Sequence, residues 1–342
     1  MLFAMHIPDG FLGPSATIVT ALAAIVAVGV ALACVRRAEG HRLVPLMGVM
    51  AAGIFAAQMV NVPLLGVNAS GHLIGGVLAA VVLGPAGGAV AITAVLFVQC
   101  FLFGDGGITA LGANVLNMAI IGSAGGFAIY SFLRRAIGGA RGTVIAAAMA
   151  SFLIIPISAL AFAGEMAAGS DVPFRSLAAL MLFYHVIIGL GEAVVTGLVV
   201  AWLLRVRPDL IYGEDPTQIA PRSYGRVMAA GLSLGIAIAV FAAPFASELD
   251  DGLETVAGKL GFLDRATESS HAPFPDYALA GGSPEGGSAV ASAVEPNHVA
   301  TIAAGMTSLL GLLGTLATWG FALALTGGAR FGAKRAEKLH AL

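Results

Sequence analysis

The feature that most constrains this chain is the recurrence of apolar stretches long enough to cross a lipid bilayer. A soluble domain carries about 25% charged residues, whereas only 11% of these 342 residues are charged. A membrane-spanning helix needs about 20 mostly apolar residues. Five windows meet that requirement: 12–35, 43–61, 110–133, 142–163 and 176–204. The sequence therefore predicts an all-α membrane protein and excludes a soluble fold.

Four shorter or later apolar stretches extend the predicted bundle. Residues 72–83 and 86–103 flank the segment Leu-Gly-Pro-Ala-Gly-Gly at 83–88, which predicts two helices joined by a tight turn, because glycine and proline interrupt helices. They raise the first group to seven helices. Residues 227–246 and 298–325 predict two more. We expect a seven-helix bundle followed by a two-helix hairpin.

Polar segments divide the predicted chain into four parts. They are a transmembrane domain at 5–205, a cytoplasmic linker at 206–226, a second transmembrane domain at 227–325 and a basic tail at 326–342. Within the second domain, 247–297 is rich in Ser, Gly and Pro, which predicts an extracytoplasmic loop of low order. A short amphipathic helix is expected there from Asp251 to Leu263, the alternative being a solvated linker helix.

Basic residues are concentrated in alternate loops of the predicted bundle, and this pattern predicts its orientation. The loops between them, at 62–71, 104–109 and 164–175, hold Arg175 as their basic residue. Since basic loops face the cytoplasm, we expect a multi-pass protein of the cell (inner) membrane with its N-terminus outside and its C-terminus inside. The basic residues are Arg36, Arg37 and Arg42; Arg134, Arg135 and Arg141; Arg205, Arg207, Arg222 and Arg226; and Arg330, Lys334, Arg335 and Lys338.

Two histidines are predicted at the outer side of the bundle, where their chemistry favours a metal site. His6 precedes the first helix, and His72 stands at the predicted start of the third. Polar side chains at membrane depth are functional hypotheses by default, although a solvated or backbone-bonded histidine is the ordinary alternative for each. His185 and Glu192 share a face of the seventh helix, and we expect them to make a structural contact rather than a gate.

The residue before His6 strengthens the metal hypothesis. If the chain starts at Met5, its free amine, the His6 amide nitrogen and the His6 ring Nδ1 can close fused chelate rings on one ion. An imidazole from His72 would complete four nitrogens. Such a planar set suits Ni(II) or Cu(II), with Co(II) possible, and does not suit tetrahedral Zn(II) or the oxygen-seeking Mg(II) and Ca(II).

Several polar residues near these histidines are candidates for orienting the metal ligands by hydrogen bonds. Asn114 and Asn117 stand three residues apart, so on an α-helix both would face one cavity. Their alternative role is hydrogen bonding between helices. Asp105 is expected to cap the helix that follows it. The full set of predicted orienting residues is Asn68, Ser70, Asn114 and Asn117.

The segments Met-His-Ile-Pro-Asp-Gly at 5–10, Ser-Gly-His at 70–72 and the block from Gly104 to Met118 resemble the CbiM/NikM family. This family comprises the substrate-capture components of energy-coupling-factor (ECF) importers for cobalt and nickel. The later part resembles the N component of those systems, whose Pro-Asp-Gly-Leu-Glu motif stands here as Asp250 to Glu254, with Asp250 in place of the proline. The whole chain thus resembles a fused M and N protein.

The resemblance implies that Met5, His6 and His72 bind a transported Ni(II) or Co(II), with no further cofactor. The four residues before Met5 would block its amine, so we expect Met5 to be the true start. Pro8 and Asp9, which follow Met-His-Ile, resemble the nickel members of the family and favour nickel over cobalt as the transported ion. The resemblance also implies partners, a transmembrane coupling subunit and separate ABC ATPases, and indeed the sequence lacks Gly-x-x-x-x-Gly-Lys-Ser/Thr. The protein is then a transporter subunit rather than an enzyme.

One helix face and two other functional classes complete these expectations. The first helix carries Ala23, Ala27 and Ala31 at four-residue spacing, a small-residue stripe that could dock the coupling subunit or pack internally. A secondary permease or channel is a weaker alternative, because two related halves and buried coupling acids are not apparent. An intramembrane metalloenzyme would need a signature such as His-Glu-x-x-His, which the sequence lacks.

Overall fold

The computed structural model describes residues 6–37, 43–214, 224–267, 272–277 and 296–340, and helices dominate them. Seven of these helices are long and apolar enough to cross a membrane, and the all-α membrane fold is thereby confirmed. Two shorter helices accompany them, α2 (Leu43–Gln58) and α8 (Gly252–Leu260). The seven are α1 (Pro14–Arg37), α3 (Gly76–Phe103), α4 (Leu111–Ile137), α5 (Gly139–Gly169), α6 (Phe174–Val206), α7 (Tyr224–Phe245) and α9 (Pro296–His340, apolar over Ala303–Thr326).

Helix α3 is a hairpin of two helical arms rather than one straight span. Gly84 has φ 78° and ψ 166°, which no α-helix contains. A Cβ on Gly88 would lie 2.8 Å from the Cα of Ala80, whereas eight residues of straight helix span about 12 Å. The chain therefore reverses at Gly84, and the turn predicted between 83 and 88 is confirmed. The first arm begins at Gly76 rather than at 72, because Gly75 before it is left-handed (φ 75°).

The hairpin places the start of α3 and the loop after it at the same end of the bundle. This site end also holds the start of α1, since Gly13 and Gly169 are in backbone contact. At the opposite end, the backbone N–H of Tyr212 donates to the carbonyl of Val81, next to the turn. Helix α3 lies at the centre of the core, because 83% of its apolar 18-residue stretch is buried.

The second part of the chain, from α7 to α9, packs against the first part, from α1 to α6, through α2. A Cβ on Gly235 of α7 would lie 3.3 Å from the Cα of Gly53, and Gly314 of α9 lies against the ring of Phe55. Between α7 and α9, the predicted short helix is confirmed as α8. The Asp251 side chain accepts the N–H groups of Leu253 and Glu254, and the Glu254 side chain reaches back to the Asp251 N–H. This reciprocal pair is a capping box.

Outside the predicted short helix, the expectation of low order in 247–297 is wrong for 247–250 and 264–267, which are folded onto the first part. Their backbone groups bond to Asn61, Ser70 and Asp9, so tertiary contacts order a segment whose composition predicts a loop. Most of 278–297 lies outside the described residues.

The small-residue stripe of α1 faces the bundle rather than its exterior. Ala31 is 7% exposed and belongs to the main core, and Ala23 and Ala27 are half-buried. Large branched residues such as Ile18 and Ile25 form the exposed face instead. Ala31 therefore packs internally, which is the second of the two roles expected for the stripe, and docking of the coupling subunit stays a prediction.

Candidate metal site

His6 and His72, which are 66 positions apart in sequence, meet at the site end of the bundle. Their ring centroids are 5.6 Å apart, and the two residues are 1% and 2% exposed. The Nε2 atom of each ring is buried and has no hydrogen-bond partner. Because buried polar atoms are normally paired, two unpartnered imidazole nitrogens on neighbouring rings mark a candidate metal site.

His72 is held by the loop that leads into α3. Ser70 and Gly71 form a short strand, β2, which pairs in antiparallel register with β1 (Val62–Pro63). The Nδ1 of His72 lies 3.0 Å from the carbonyl oxygen of Leu73, so Nδ1 carries the proton and Nε2 keeps its lone pair. Burial, with the adjacent His6, lowers the pKa of His72 to about 4. The ring is then neutral at physiological pH, as a metal ligand must be.

His6 is held by the glycine-rich loop that follows α3. Its Nδ1 lies 2.5 Å from Oδ1 of Asp105. The expectation that Asp105 caps a helix is wrong, because its carboxyl group turns toward this ring. A Cβ on Gly106 would come within 3.1 Å of the His6 Cβ, and a Cβ on Gly107 within 2.3 Å of the Asp9 N. The two glycines therefore allow the N-terminal segment to lie directly on the loop.

Of the predicted orienting residues, Asn114 contacts the N-terminal segment most directly. Its side chain accepts the N–H of Ile7 at 2.8 Å and donates to the Ile7 carbonyl at 3.1 Å. Asn117 does not share that face, since its amide donates to Glu165 on α5 at 2.8 Å. The reason is that 115–125 is π-helical. Wider π-helical turns do not align residues three apart.

The other two predicted orienting residues do not contact the histidine rings. The Ser70 hydroxyl donates to the carbonyl of Leu249, and its N–H donates to the carbonyl of Asp250. Asn68 is exposed and lines a surface groove beside Asp250 and Glu254. Ser70 thus joins the His72 loop to the second part, and Asn68 lies outside the site.

The second part covers the site at three points, none of which was predicted in detail. The hydroxyl of Tyr277 donates to Oδ2 of Asp105 at 3.0 Å, and its ring stacks on Phe103 with centroids 4.4 Å apart. The N–H of Thr267 donates to the carbonyl of Asp9 at 2.9 Å. Together with the Ser70 contacts, these bonds cover both histidines at the site end of the bundle.

Met5 lies outside the described residues, so its position relative to His6 stays a prediction. Within the described ranges, no three His, Cys, Asp or Glu side chains are grouped so as to hold a metal. His185 bonds through Nδ1 to the carbonyl of Met181, and Glu192 bonds to backbone N–H groups at the start of α3. Both thus make structural contacts.

Comparison with known proteins places this geometry in a family. Residues 6–210 match the family model of CbiM, described as the cobalt uptake substrate-specific transmembrane region. The fused nickel transport protein NikMN of Rhodobacter capsulatus is 34% identical over 316 residues, covering 81% of this chain and 89% of that protein. The cobalt transport protein CbiM of Geobacter sulfurreducens is 31% identical, covering 61% and 62%.

Solved structures lead to the same family. The crystal structure of a truncated transition metal transporter is 36% identical, with a TM-score of 0.52, and covers 59% of this chain and 99% of that one. This chain therefore matches nearly all of a truncated transition metal transporter, and it matches most of the length of a fused relative. The chain belongs to the CbiM family, in its fused CbiM/NikM plus CbiN/NikN form.

Proposed function

We propose that this protein captures Ni(II) at the outer face of the membrane as the substrate-specific component of an ATP-driven ECF importer. The observation that carries the proposal is the buried pair of rings of His6 and His72, whose centroids lie 5.6 Å apart, with Nε2 of His72 left without a hydrogen-bond partner. The relatives named as nickel and cobalt transport proteins support a transition metal as cargo.

The proposed ligand set consists of the Met5 amine, the His6 amide nitrogen, Nδ1 of His6 and the His72 imidazole. The His6 Nδ1 is bonded to Asp105, so chelation would exchange that hydrogen bond for a metal bond. A free Met5 amine requires the chain to start at Met5. Four nitrogens in a plane favour Ni(II).

Co(II) is the second candidate for the same role. The matching family model is described by cobalt uptake, and one relative is named as a cobalt transport protein. Cobalt accepts the same nitrogen ligands but adds a fifth ligand more readily. Competition between the two ions therefore separates the candidates.

The importer needs partners for energy. We propose a transmembrane coupling subunit and ABC ATPase subunits, with the N-terminus of this chain outside and its C-terminus in the cytoplasm. The basic residues at the Gly84 end of the bundle support this orientation. There Arg134 pairs with Glu214 and Arg207 pairs with Asp209.

Metal titration of the purified protein in detergent micelles tests the proposal. We expect one Ni(II) per chain by mass spectrometry of metal content, with Ni(II) bound more tightly than Co(II) and Zn(II) in competition. His72→Ala should weaken binding so far that it no longer loads at the metal concentration that saturates the unaltered protein, whereas His185→Gln, a matched change at a buried histidine outside the site, should still load. Zinc preference, or full binding by His72→Ala, would contradict the proposal.

Transport is tested separately from binding. Cells that produce this chain together with the coupling and ATPase subunits should accumulate radioactive nickel, and cells that lack the ATPase subunits should not. Equal ATP-independent accumulation by the chain alone would instead favour a permease or channel.

A further inference from the structure

A single carboxylate inside the membrane domain holds the loop that carries His72. Glu192 lies on α6 and is 3% exposed. Its Oε2 accepts the N–H of Ile74 at 2.8 Å, and its Oε1 accepts the N–H of Gly75 at 2.7 Å. Each oxygen of the carboxyl group has a lone pair that can accept a hydrogen bond, so the two oxygens match these two adjacent N–H groups.

One peptide unit connects this carboxylate to the His72 ring. The peptide between Leu73 and Ile74 offers its carbonyl oxygen to Nδ1 of His72 at 3.0 Å and its N–H to Glu192. Because a peptide unit is planar, fixing the N–H also fixes the direction of the carbonyl. Hydrogen bonds in such a chain polarise one another, so the carboxylate also strengthens the carbonyl as an acceptor.

The geometry of this chain determines which nitrogen of His72 faces the site. With Nδ1–H donated to Leu73, the lone pair is left on Nε2, and that atom is the one without a partner. The same loop is held on its other side, since the Gln58 side chain donates to the carbonyl of Ile74 at 3.0 Å. The loop is therefore held on both faces immediately before α3 begins.

We infer that Glu192 is a positioning residue for metal capture, acting through the Leu73–Ile74 peptide to orient His72 toward the ion. This inference rests on the proposed function. Glu192 lies far from both histidines in the sequence, so no sequence pattern links it to the metal site. The role requires no contact between Glu192 and the metal. Groups that orient metal ligands from outside the coordination sphere typically contribute 10-fold to 100-fold in affinity.

The test compares Ni(II) dissociation constants of the full chain and its variants in micelles. Glu192→Gln replaces one acceptor oxygen with a donor that opposes an N–H, so we expect affinity to fall about 10-fold to 100-fold. Thr196→Val is the matched control, because Thr196 lies one turn further along α6, is fully buried and has an unpartnered hydroxyl. It should stay near the affinity of the unaltered protein.

A double-mutant cycle separates positioning from general support of the fold. If Glu192 acts through His72, Glu192→Gln should have little further effect on the weaker affinity of His72→Ala, measured at metal concentrations that load that variant. Equal losses in both backgrounds would overturn the inference. Should Glu192→Gln fail to fold, Glu192→Asp carries the same cycle.

Failure of the proposed function can be distinguished from failure of the positioning role of Glu192. If the unaltered protein binds neither Ni(II) nor Co(II), the proposed function fails. If it binds metal and Glu192→Gln binds with unchanged affinity, the proposed function stands and the positioning role is refuted.

Discussion

Substitution of Gly84 by alanine tests the chain reversal that brings the site together. Gly84 combines φ 78° with ψ 166°, a region that is essentially restricted to glycine and costs other residues about 1–3 kcal/mol. A Cβ there would also lie 2.7 Å from Cε2 of Tyr212. That ring is half exposed and can move, so we take about 1 kcal/mol for the contact, the low end for overpacking. Gly84→Ala should thus destabilise the protein by about 2–4 kcal/mol.

Gly138 provides a matched control for this substitution. Its φ of 74° and ψ of 161° are nearly the same, but a Cβ there would meet nothing within 4 Å. Gly138→Ala should therefore report backbone strain alone, at about 1–3 kcal/mol. In a Tyr212→Ala background, the cost of Gly84→Ala should fall to that of Gly138→Ala.

The assay is the unfolding midpoint in mixed detergent micelles, followed by far-ultraviolet circular dichroism and converted to a free-energy difference. The sign of the change in unfolding free energy distinguishes a chain reversal at Gly84 from a continuous helix. In the interior of a continuous helix, glycine to alanine stabilises by about 1 kcal/mol. A stabilising Gly84→Ala would therefore refute the reversal and, with it, the proximity of His72 and Asp105.

Two further predictions concern the outer loop and the N-terminal segment. Burial and the nearby Glu254 carboxylate raise the pKa of Asp251, so its contribution to stability is greatest below its unfolded pKa of about 3.9 and is lost as pH rises through the folded pKa. Asp251→Asn keeps the cap and should flatten this pH dependence of stability. Asn114→Ala leaves the buried N–H of Ile7 unpaired, whereas the Ile7 carbonyl keeps the N–H of Gly107; the loss should cost about 1–3 kcal/mol and weaken Ni(II) binding.

Each of these predictions has a direct control. Asp251→Ala loses the cap and should cost about 1 kcal/mol at all pH values, and an unchanged pH slope in Asp251→Asn would contradict the assignment. Asn114→Asp keeps the acceptor for the Ile7 N–H, so it should bind metal better than Asn114→Ala. Identical metal affinities would show that Asn114 does not fix the N-terminal segment.

Local signals in the sequence were sufficient for the helices and the reversal. Glycine and proline at 83–88 interrupt an apolar run, and the short helix after Asp251 carries its own capping residues. Both features depend on residues within a few positions of each other, so a pattern can reveal them. The π-helical stretch 115–125 could not be predicted in this way, because an α-helical spacing was assumed for Asn114 and Asn117.

Long-range contacts of the site escaped the sequence for a physical reason. Asp105 meets His6 across 99 positions, and Tyr277 meets Asp105 across 172. Such pairs depend on how the α3 hairpin packs against the segment that follows α7, and no local sequence pattern encodes that packing. His6 and His72 were identified as partners because the Met-His and Ser-Gly-His segments resemble a family, and not from their spacing.

The amino-terminal chelate is tested most directly by the chain start. Two forms of the protein, one beginning at Met5 and one keeping the four preceding residues, differ in whether the Met5 nitrogen is an amine or a peptide nitrogen. We predict stoichiometric, tight Ni(II) binding by the form that begins at Met5 and a large loss of affinity in the extended form. Equal affinity of the two forms for Ni(II) would contradict the participation of the Met5 amine in the metal site.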